Sequence, residues 1–446
     1  MPNPYLPLYE YIPDGEPRVF GDRVYVYGSH DSAGSDSFCD YVLKVWSAPV
    51  DNPGNWTCHG DVFHTRDDRD HLSDTDWTDG EQNRLFAPDV VEKDGKYYLY
   101  AYIMGTKGCV AVSDRPEGPF KLISQYKYTI PEGRDDGYCN NGWFIDPGTL
   151  VDDDGRVYVY CGFEKSFMAE LNADNMLEVI DGTYIDDIIP IEEPFRFFEA
   201  CSPRKVGDTY YMIYSPNPGS RLVYATSKSP RGPFEFRGII VDNADNYPGG
   251  NNHGSICKIK DQWYIFYHRM TNGTIMSRRA CVERIEMMAD GSIPQVEMTS
   301  LGFSQSLNPY EITPADIACY LTGGALVTEK DIFTRVVTDI RDGAVLGYKY
   351  YNFGEDFSSK TMEFYANIRG MGCNAKLSVM LDDPVNGIGI GSMDIGLGDG
   401  TYNAVVQNVT GRHAVYLVAE SRFEGWFKDM AKDRNLFELV SFVFVK

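Results

Sequence analysis

Positive charge is the scarcest resource in this sequence. Its 446 residues hold 41 Lys and Arg against 65 Asp and Glu, a formal net charge of −24. Nucleic acid and anionic membrane both require a basic footprint, so neither is expected as a partner. A neutral carbohydrate is compatible with such a surface. No run of 18 apolar residues occurs, so no membrane-spanning helix is expected. The segment MPNPYLPLYEY has no basic n-region and no continuous apolar stretch, so no signal peptide is read there. The ten cysteines form no CxxC pair and no regular spacing. They read as buried reduced thiols, not as a disulfide frame or a zinc site. These absences point to a cytoplasmic protein whose sequons at Asn55, Asn272 and Asn408 are idle. A homo-oligomer is left open.

Aromatic residues, by contrast, are plentiful: 14%, with 31 Tyr. Many fall in a recurring phrase, an alternating aromatic run after a Gly/Asp turn. It appears as GDRVYVY at Tyr25, DGKYYLY at Tyr98, DGRVYVY at Tyr158, GDTYYMIY at Tyr211 and KDQWYIFY at Tyr264. The marker tyrosines stand 73, 60, 53 and 53 residues apart. Such a period suits four strands with generous loops, and five repeats predict a five-bladed β-propeller.

Eleven or twelve residues before the marker tyrosines stand Asp14, Phe86, Asp146, Glu199 and His253. In a propeller the innermost strands run along the central axis, so equivalent strand starts gather on one rim. Three carboxylates, one aromatic ring and one imidazole should therefore converge on a central pit. The shared offset outweighs the ordinary reading of Asp and Glu near turns as solvated loop residues.

Residues 51–80 form an Asp/His/Thr-rich insertion that matches no metal-ligand template and reads as a loop. The phrases SDRPEGPF and SKSPRGPF read as the closing turns of two blades. After residue 307 the aromatic repeat stops. MEFYANIRG, AKLSVMLDD, HAVYLVAE and LFELVSFVFV read as short strands of a β-sandwich. The expected organisation is a propeller over 1–307, a linker over 308–315 and a sandwich over 316–446.

PDGEPRVFGDRVYVYGSHD, LFAPDVVEKDGKYYLY, FIDPGTLVDDDG, FFEACSPRKVGDTYYMIYS and NNHGSICKIKDQWYIFYHR span the five blades in order. In these phrases the chain resembles glycoside hydrolase family 43. The resemblance implies that Asp14 is the general base, Asp146 the modulator of pKa and orientation, and Glu199 the general acid. It also implies that Arg269 reaches the sugar and that His253 lies by a structural calcium, held through water. No cofactor is implied for the chemistry itself. Phe86, Asp31 and Trp143 complete the candidate substrate contacts. Two departures stand out: Asp14-Gly15-Glu16-Pro17 replaces the family's Asp-Pro and makes Glu16 a rival base, and Phe86 stands where Trp is usual. The tail resembles carbohydrate-binding modules of family 6 through ACYLTGGALVT, DGAVLGYKYYNFG and GRHAVYLVAE, with Trp426 as its one tryptophan.

Glycosidic bonds break through an oxocarbenium-like transition state flanked by two carboxyl groups. The acid must stay protonated near neutral pH, far above the free Glu value of about 4.3. A like charge from Asp146 beside Glu199 is the expected cause. The expected activity is release of a terminal α-L-arabinofuranose or β-D-xylose, with inversion, from hemicellulose-derived oligosaccharides. Two alternatives stand beside it: a retaining fructosidase-like propeller, whose Asn-Asp-Pro-Asn-Gly phrase is absent, and a non-catalytic sugar-binding protein.

Overall fold

The computed structural model describes residues 1–65, 84–103, 108–125, 144–355 and 359–446. Its first nineteen strands make five antiparallel sheets, each taken in chain order from the inside outward. Blade I holds β1 (Glu16–Phe20), β2 (Arg23–Tyr27), β3 (Val42–Pro49) and β4 (Thr57–His64). Blade II holds β5 (Leu85–Lys93), β6 (Lys96–Ile103), β7 (Cys109–Ser113) and β8 (Lys121–Gln125). Blade III holds β9 (Gly148–Val151), β10 (Val157–Cys161), β11 (Phe167–Leu171) and β12 (Ile185–Asp186). Blade IV holds β13 (Phe197–Val206), β14 (Thr209–Pro216), β15 (Arg221–Ser227) and β16 (Glu235–Asp242). Blade V holds β17 (Ile256–Ile259), β18 (Gln262–Thr271) and β19 (Thr274–Ile285). This is a five-bladed β-propeller. The expected loop over 51–80 is corrected in part: Thr57–His64 pairs with β3 as the outer strand of blade I.

The aromatic repeat has a packing cause. Each marker tyrosine lies on the second strand of its blade, which is buried on both faces. In β2, Val24 and Val26 pack against blade V, while Tyr25 and Tyr27 pack against blade II. In β10, Val157, Val159 and Cys161 face blade II, and Tyr158 and Tyr160 face blade IV. The same parity holds around the ring. Tyr211 packs toward blade V, and Tyr264 packs toward blade I. The alternation thus sets large rings against the following blade and mostly aliphatic side chains against the preceding one. Close packing of neighbouring wedges needs complementary volumes of this kind.

The ring closes between blades V and I. Gly15 bridges Gly254 in parallel at the strand heads. The first residues run along β19, where Tyr5 N–H donates to Ala280 O at 3.1 Å and Asn3 Nδ2 donates to Val282 O at 2.7 Å.

Beyond the propeller, two sheets form a β-sandwich. One runs in the order Leu326–Asp331, Thr334–Thr338, Phe437–Val445, Thr361–Gly370, Gly400–Gln407, with Thr313–Pro314 also paired to Phe437–Val445. The other runs Tyr320–Leu321, Val345–Asn352, Arg412–Ser421, Ala375–Leu381, Ile388–Ile395. Its core continues into the propeller: Tyr211, Ile256 and Tyr267 share one apolar cluster with Ile317, Leu346 and Tyr348. A buried ion pair at 2.8 Å, Arg279 to Asp316, ties the two bodies together. Among the described residues no helix is long and apolar enough to cross a membrane.

Candidate active site

The propeller brings the five offset residues to the heads of the five innermost strands. Asp14 precedes β1 and Asp146 precedes β9, each by two residues, and His253 precedes β17 by three. Phe86 and Glu199 stand within β5 and β13, each at a register shift in its ladder. Such bulges re-aim side chains that strict alternation would send to a blade face. The backbone is left-handed at Asp14 (φ 56°), Ala87 (φ 34°), Asp146 (φ 50°) and Ala200 (φ 69°). Left-handed geometry at non-glycine residues is costly and gathers at functional sites.

Asp14 is held from blade V. Arg278 Nη1, from β19, donates to its Oδ1 at 2.8 Å. His268 Nδ1, from β18, accepts the Asp14 backbone N–H at 3.3 Å. The other nitrogen of that ring, Nε2, then carries the proton and donates to Asn251 O at 3.0 Å. Burial, reinforced by the Arg278 charge, pushes the His268 imidazole down to about 3, so it stays neutral. Burial alone would raise Asp14. Arg278, His253 and His268 outweigh it and hold Asp14 below the ordinary carboxylate value.

The other two carboxyl groups go the opposite way. Burial first, and the nearby Asp14 charge against the pull of His253, bring Asp146 up to about 6. Burial first, then the negative charge of Asp146, push Glu199 up to about 8. The expected order of causes at Glu199 is therefore corrected: loss of water outweighs the like charge. At neutral pH the pit holds an ionised Asp14 and a protonated Glu199. One carboxylate can take a proton from water while one carboxylic acid gives a proton to a leaving oxygen.

His253 lies between these groups. Its Nδ1 is 3.9 Å from both Asp14 Oδ1 and Asp146 Oδ2, and its Nε2 is 3.6 Å from Glu16 Oε1. Burial disfavours the imidazolium, yet Glu16, Asp146 and Asp14 raise its pKa to about 9. Calcium takes six to eight oxygen ligands. Among the described residues no three His, Cys, Asp or Glu converge to hold an ion. The carboxylates near the ring stand 3.6–3.9 Å from its nitrogens, and the described residues assemble no direct ligand cage around His253, so the calcium expected there finds no protein ligand set.

Glu16 lies under His253 and faces away from open space. Arg204 Nη2 donates to its Oε2 at 2.5 Å and Ser202 Oγ donates to the same oxygen at 2.9 Å. Despite burial, Arg204 and His253 hold it down to about 2. Next to it Arg18 and Asp89 pair at 2.6 Å, with Asp89 wholly buried. These two ion pairs fill the axis beneath the pit.

The four expected substrate contacts fare differently. Phe86 is half-buried at its strand head, its ring 5.9 Å from that of Tyr102. Arg269 does not reach the pit. It is buried within blade V, donating to Tyr267 Oη, to Glu283 Oε1 at 3.2 Å and to Thr299 O at 2.8 Å. The error is one of strand parity: Arg269 pairs in register with Arg279, on the face of blade V opposite to the one that carries His268 and Arg278 to Asp14. Asp31 is also no sugar contact, being 1% exposed and saturated by donors from Arg278 and Cys39. Trp143 lies outside the described residues. Sequence reasoning missed Arg278 and His268. The signal was present, since SRRA lies within β19 and the histidine of YHR directly precedes Arg269.

Known proteins resemble this chain in both sequence and fold. The family model described as glycosyl hydrolases family 43 matches residues 55–293. A "Xylosidase/arabinosidase" of Thermoclostridium stercorarium is 40% identical over 405 residues, which are 78% of this chain and 82% of that protein. The structure of a GH43_1 enzyme from Xanthomonas citri complexed with xylose matches with a TM-score of 0.55 at 26% identity, over 66% of this chain and 93% of that one. An arabinoxylan arabinofuranohydrolase from Bacillus subtilis, in complex with cellotetraose, matches over 100% of this chain and 97% of its own, with a TM-score of 0.55. At 24% identity that last likeness speaks for the fold alone.

Proposed function

The chain belongs to glycosyl hydrolase family 43, and from that premise we propose an inverting, exo-acting enzyme that releases terminal α-L-arabinofuranose or β-D-xylose from short hemicellulose-derived oligosaccharides. That it is a glycoside hydrolase follows from the family and from relatives described as xylosidase/arabinosidase and arabinoxylan arabinofuranohydrolase. The single observation that carries the mechanism is the gathering of Asp14, Asp146 and Glu199 at the heads of three innermost strands, where Asp14 is held below the ordinary carboxylate value and Glu199 above it. In this reading Asp14 takes a proton from the attacking water, and Glu199 protonates the departing oxygen. Asp146 keeps Glu199 protonated and orients it. Phe86 offers a ring to the bound pentose. Glu16, locked by Arg204 and Ser202, serves the fold and not the water, which supports Asp14 as the base.

Residues 1–307 are the catalytic propeller in this reading, and the linker expected over 308–315 shortens to 308–312, because Thr313–Pro314 already pairs with Phe437–Val445 of the sandwich that buttresses blades IV and V. The nine described cysteines are free thiols, eight of them buried. This supports a reducing, cytoplasmic setting and imported oligosaccharides as substrates.

A leaving-group comparison tests the roles. A general acid contributes roughly 10²–10⁴-fold, chiefly for poor leaving groups. Glu199→Gln should therefore damage cleavage of natural oligosaccharides far more than that of a 4-nitrophenyl pentoside, and Asp14→Asn should damage both alike. Proton NMR of the first-formed sugar should show the inverted anomer. Equal losses on both substrates for Glu199→Gln, or a retained anomer, would overturn the reading.

A further inference from the structure

We propose that Asp31 is a positioning residue for the reaction, acting through Arg278, which it clamps in the one orientation that lets the guanidinium steer Asp14. The inference rests on the reading of Asp14 as the base. Asp31 sits at the end of the run that follows β2, and Arg278 on β19, so the pair also spans the seam where the ring closes.

The geometry is that of a fork. Arg278 Nε donates to Asp31 Oδ2 at 2.8 Å and Nη2 donates to Oδ1 at 3.0 Å. The Arg278 backbone N–H adds a bond to Oδ2 at 3.1 Å, and the Cys39 N–H adds one to Oδ1 at 3.1 Å. Four N–H donors on two oxygens fill a carboxylate's acceptor sites, so Asp31 is an anion with nothing left to offer a sugar. A bidentate carboxylate fixes the plane of a guanidinium. Nη1, the nitrogen left over, then has a single direction, and at 2.8 Å it meets Asp14 Oδ1. Both side chains are almost wholly buried, 3% for Arg278 and 0% for Asp31, so no solvent competes for the fork.

The charge balance gives Asp31 a second effect. One guanidinium is shared between two carboxylates, so Asp14 receives only part of its neutralising charge. A base paired alone with an arginine would be too weakly basic to take a proton from water. The groups facing Asp14 are Arg278 from β19, His268 from β18, His253 at the head of blade V, Asp146 from blade III and Ser29 beside β2. Asp31 itself faces Arg278, Asp14 and the Cys39 thiol.

The test is a pH–rate profile with a double-mutant cycle on 4-nitrophenyl pentosides. Asp31→Asn removes one charge and should move the acidic limb to lower pH by about one unit while lowering kcat roughly tenfold. Arg278→Met should move the same limb to higher pH. Adding Asp31→Asn to Arg278→Met should move it no further, since Asp31 has then lost the group through which it acts. A role confined to stability would lower the melting temperature and leave the limb in place. If Asp31→Asn does not fold, the uncharged double variant replaces it and is compared with Arg278→Met, whose limb it should match. An unmoved or raised limb in Asp31→Asn, or a limb in the double variant that departs from that of Arg278→Met, overturns the proposal. Asp14→Asn separates the two readings: if that variant keeps most of its activity, the assignment of the base fails. If it is inactive while Asp31→Asn titrates unchanged, the base stands and the clamp alone falls.

Discussion

Replacing Asp146 by Asn should cost activity at neutral pH and return it in acid. Glu199 stands at about 8 because of burial first and the Asp146 charge second. The substitution leaves burial in place and removes the charge, and a like charge at contact range contributes about 1–2 pH units. The basic limb should therefore fall from about 8 to between about 6 and 7. At pH 7 the protonated fraction of Glu199 would drop from about nine-tenths to between about a half and a tenth. At pH 5.5 the acid would again be mostly protonated, while Asp14, held below the ordinary carboxylate value, stays ionised. The loss should thus be several-fold at pH 7 and shrink on acidification to whatever reflects misorientation alone. The assay is kcat/KM from pH 4 to 9 on an unactivated disaccharide, whose alkoxide leaving group makes the acid indispensable. A basic limb that stays near 8, or a loss that does not shrink in acid, would refute the electrostatic role of Asp146.

Other consequences follow from the same arrangement. Asp316→Ala strands the Arg279 charge between propeller and sandwich, where both partners are at most 2% exposed; it should destabilise by about 3–5 kcal/mol in chemical denaturation, with pit chemistry intact in the folded fraction. Gly148→Ala places a methyl group 2.2 Å from Cys201 O and 2.4 Å from Pro203 Cδ, which should cost about 1–3 kcal/mol and lower kcat by displacing the head of β9; unchanged melting would contradict the packing described. Exhaustive chelation should leave turnover unchanged, since no three ligating side chains converge at His253 among the described residues; metal analysis of the treated enzyme checks that the test was complete.

The propeller was legible because its second strands are buried on both faces and so repeat an unusual aromatic pattern. Each marker tyrosine, Tyr25 to Tyr264, answers to one physical demand, contact with the following blade. The strand-head residues were legible for the same reason, as a fixed offset from a repeated element. What escaped was set by groups that carry no repeat. Arg278 and Arg269 lie in the same blade, and only strand parity distinguishes the one that reaches Asp14. The outer strand Thr57–His64 escaped because its exposed, polar composition, TCHGDVFH, resembles a loop. The cause of the Glu199 shift could not be ranked from sequence either, because burial is a property of the assembled rim.

The left-handed residues at the strand heads also bear on how this enzyme could be engineered. Asp14 and Asp146 need their side chains, so evolution cannot relax them to glycine. Ala87 and Ala200 carry no reactive group, yet they sit in the same unfavourable region. Each strained residue of this kind costs on the order of 1–3 kcal/mol. Glycine at Ala200 would therefore raise thermostability while loosening the bulge that aims Glu199. The rim is a place where heat tolerance and catalytic precision draw on the same dihedral angles, and a stabilisation screen scored on melting alone would select against the catalyst.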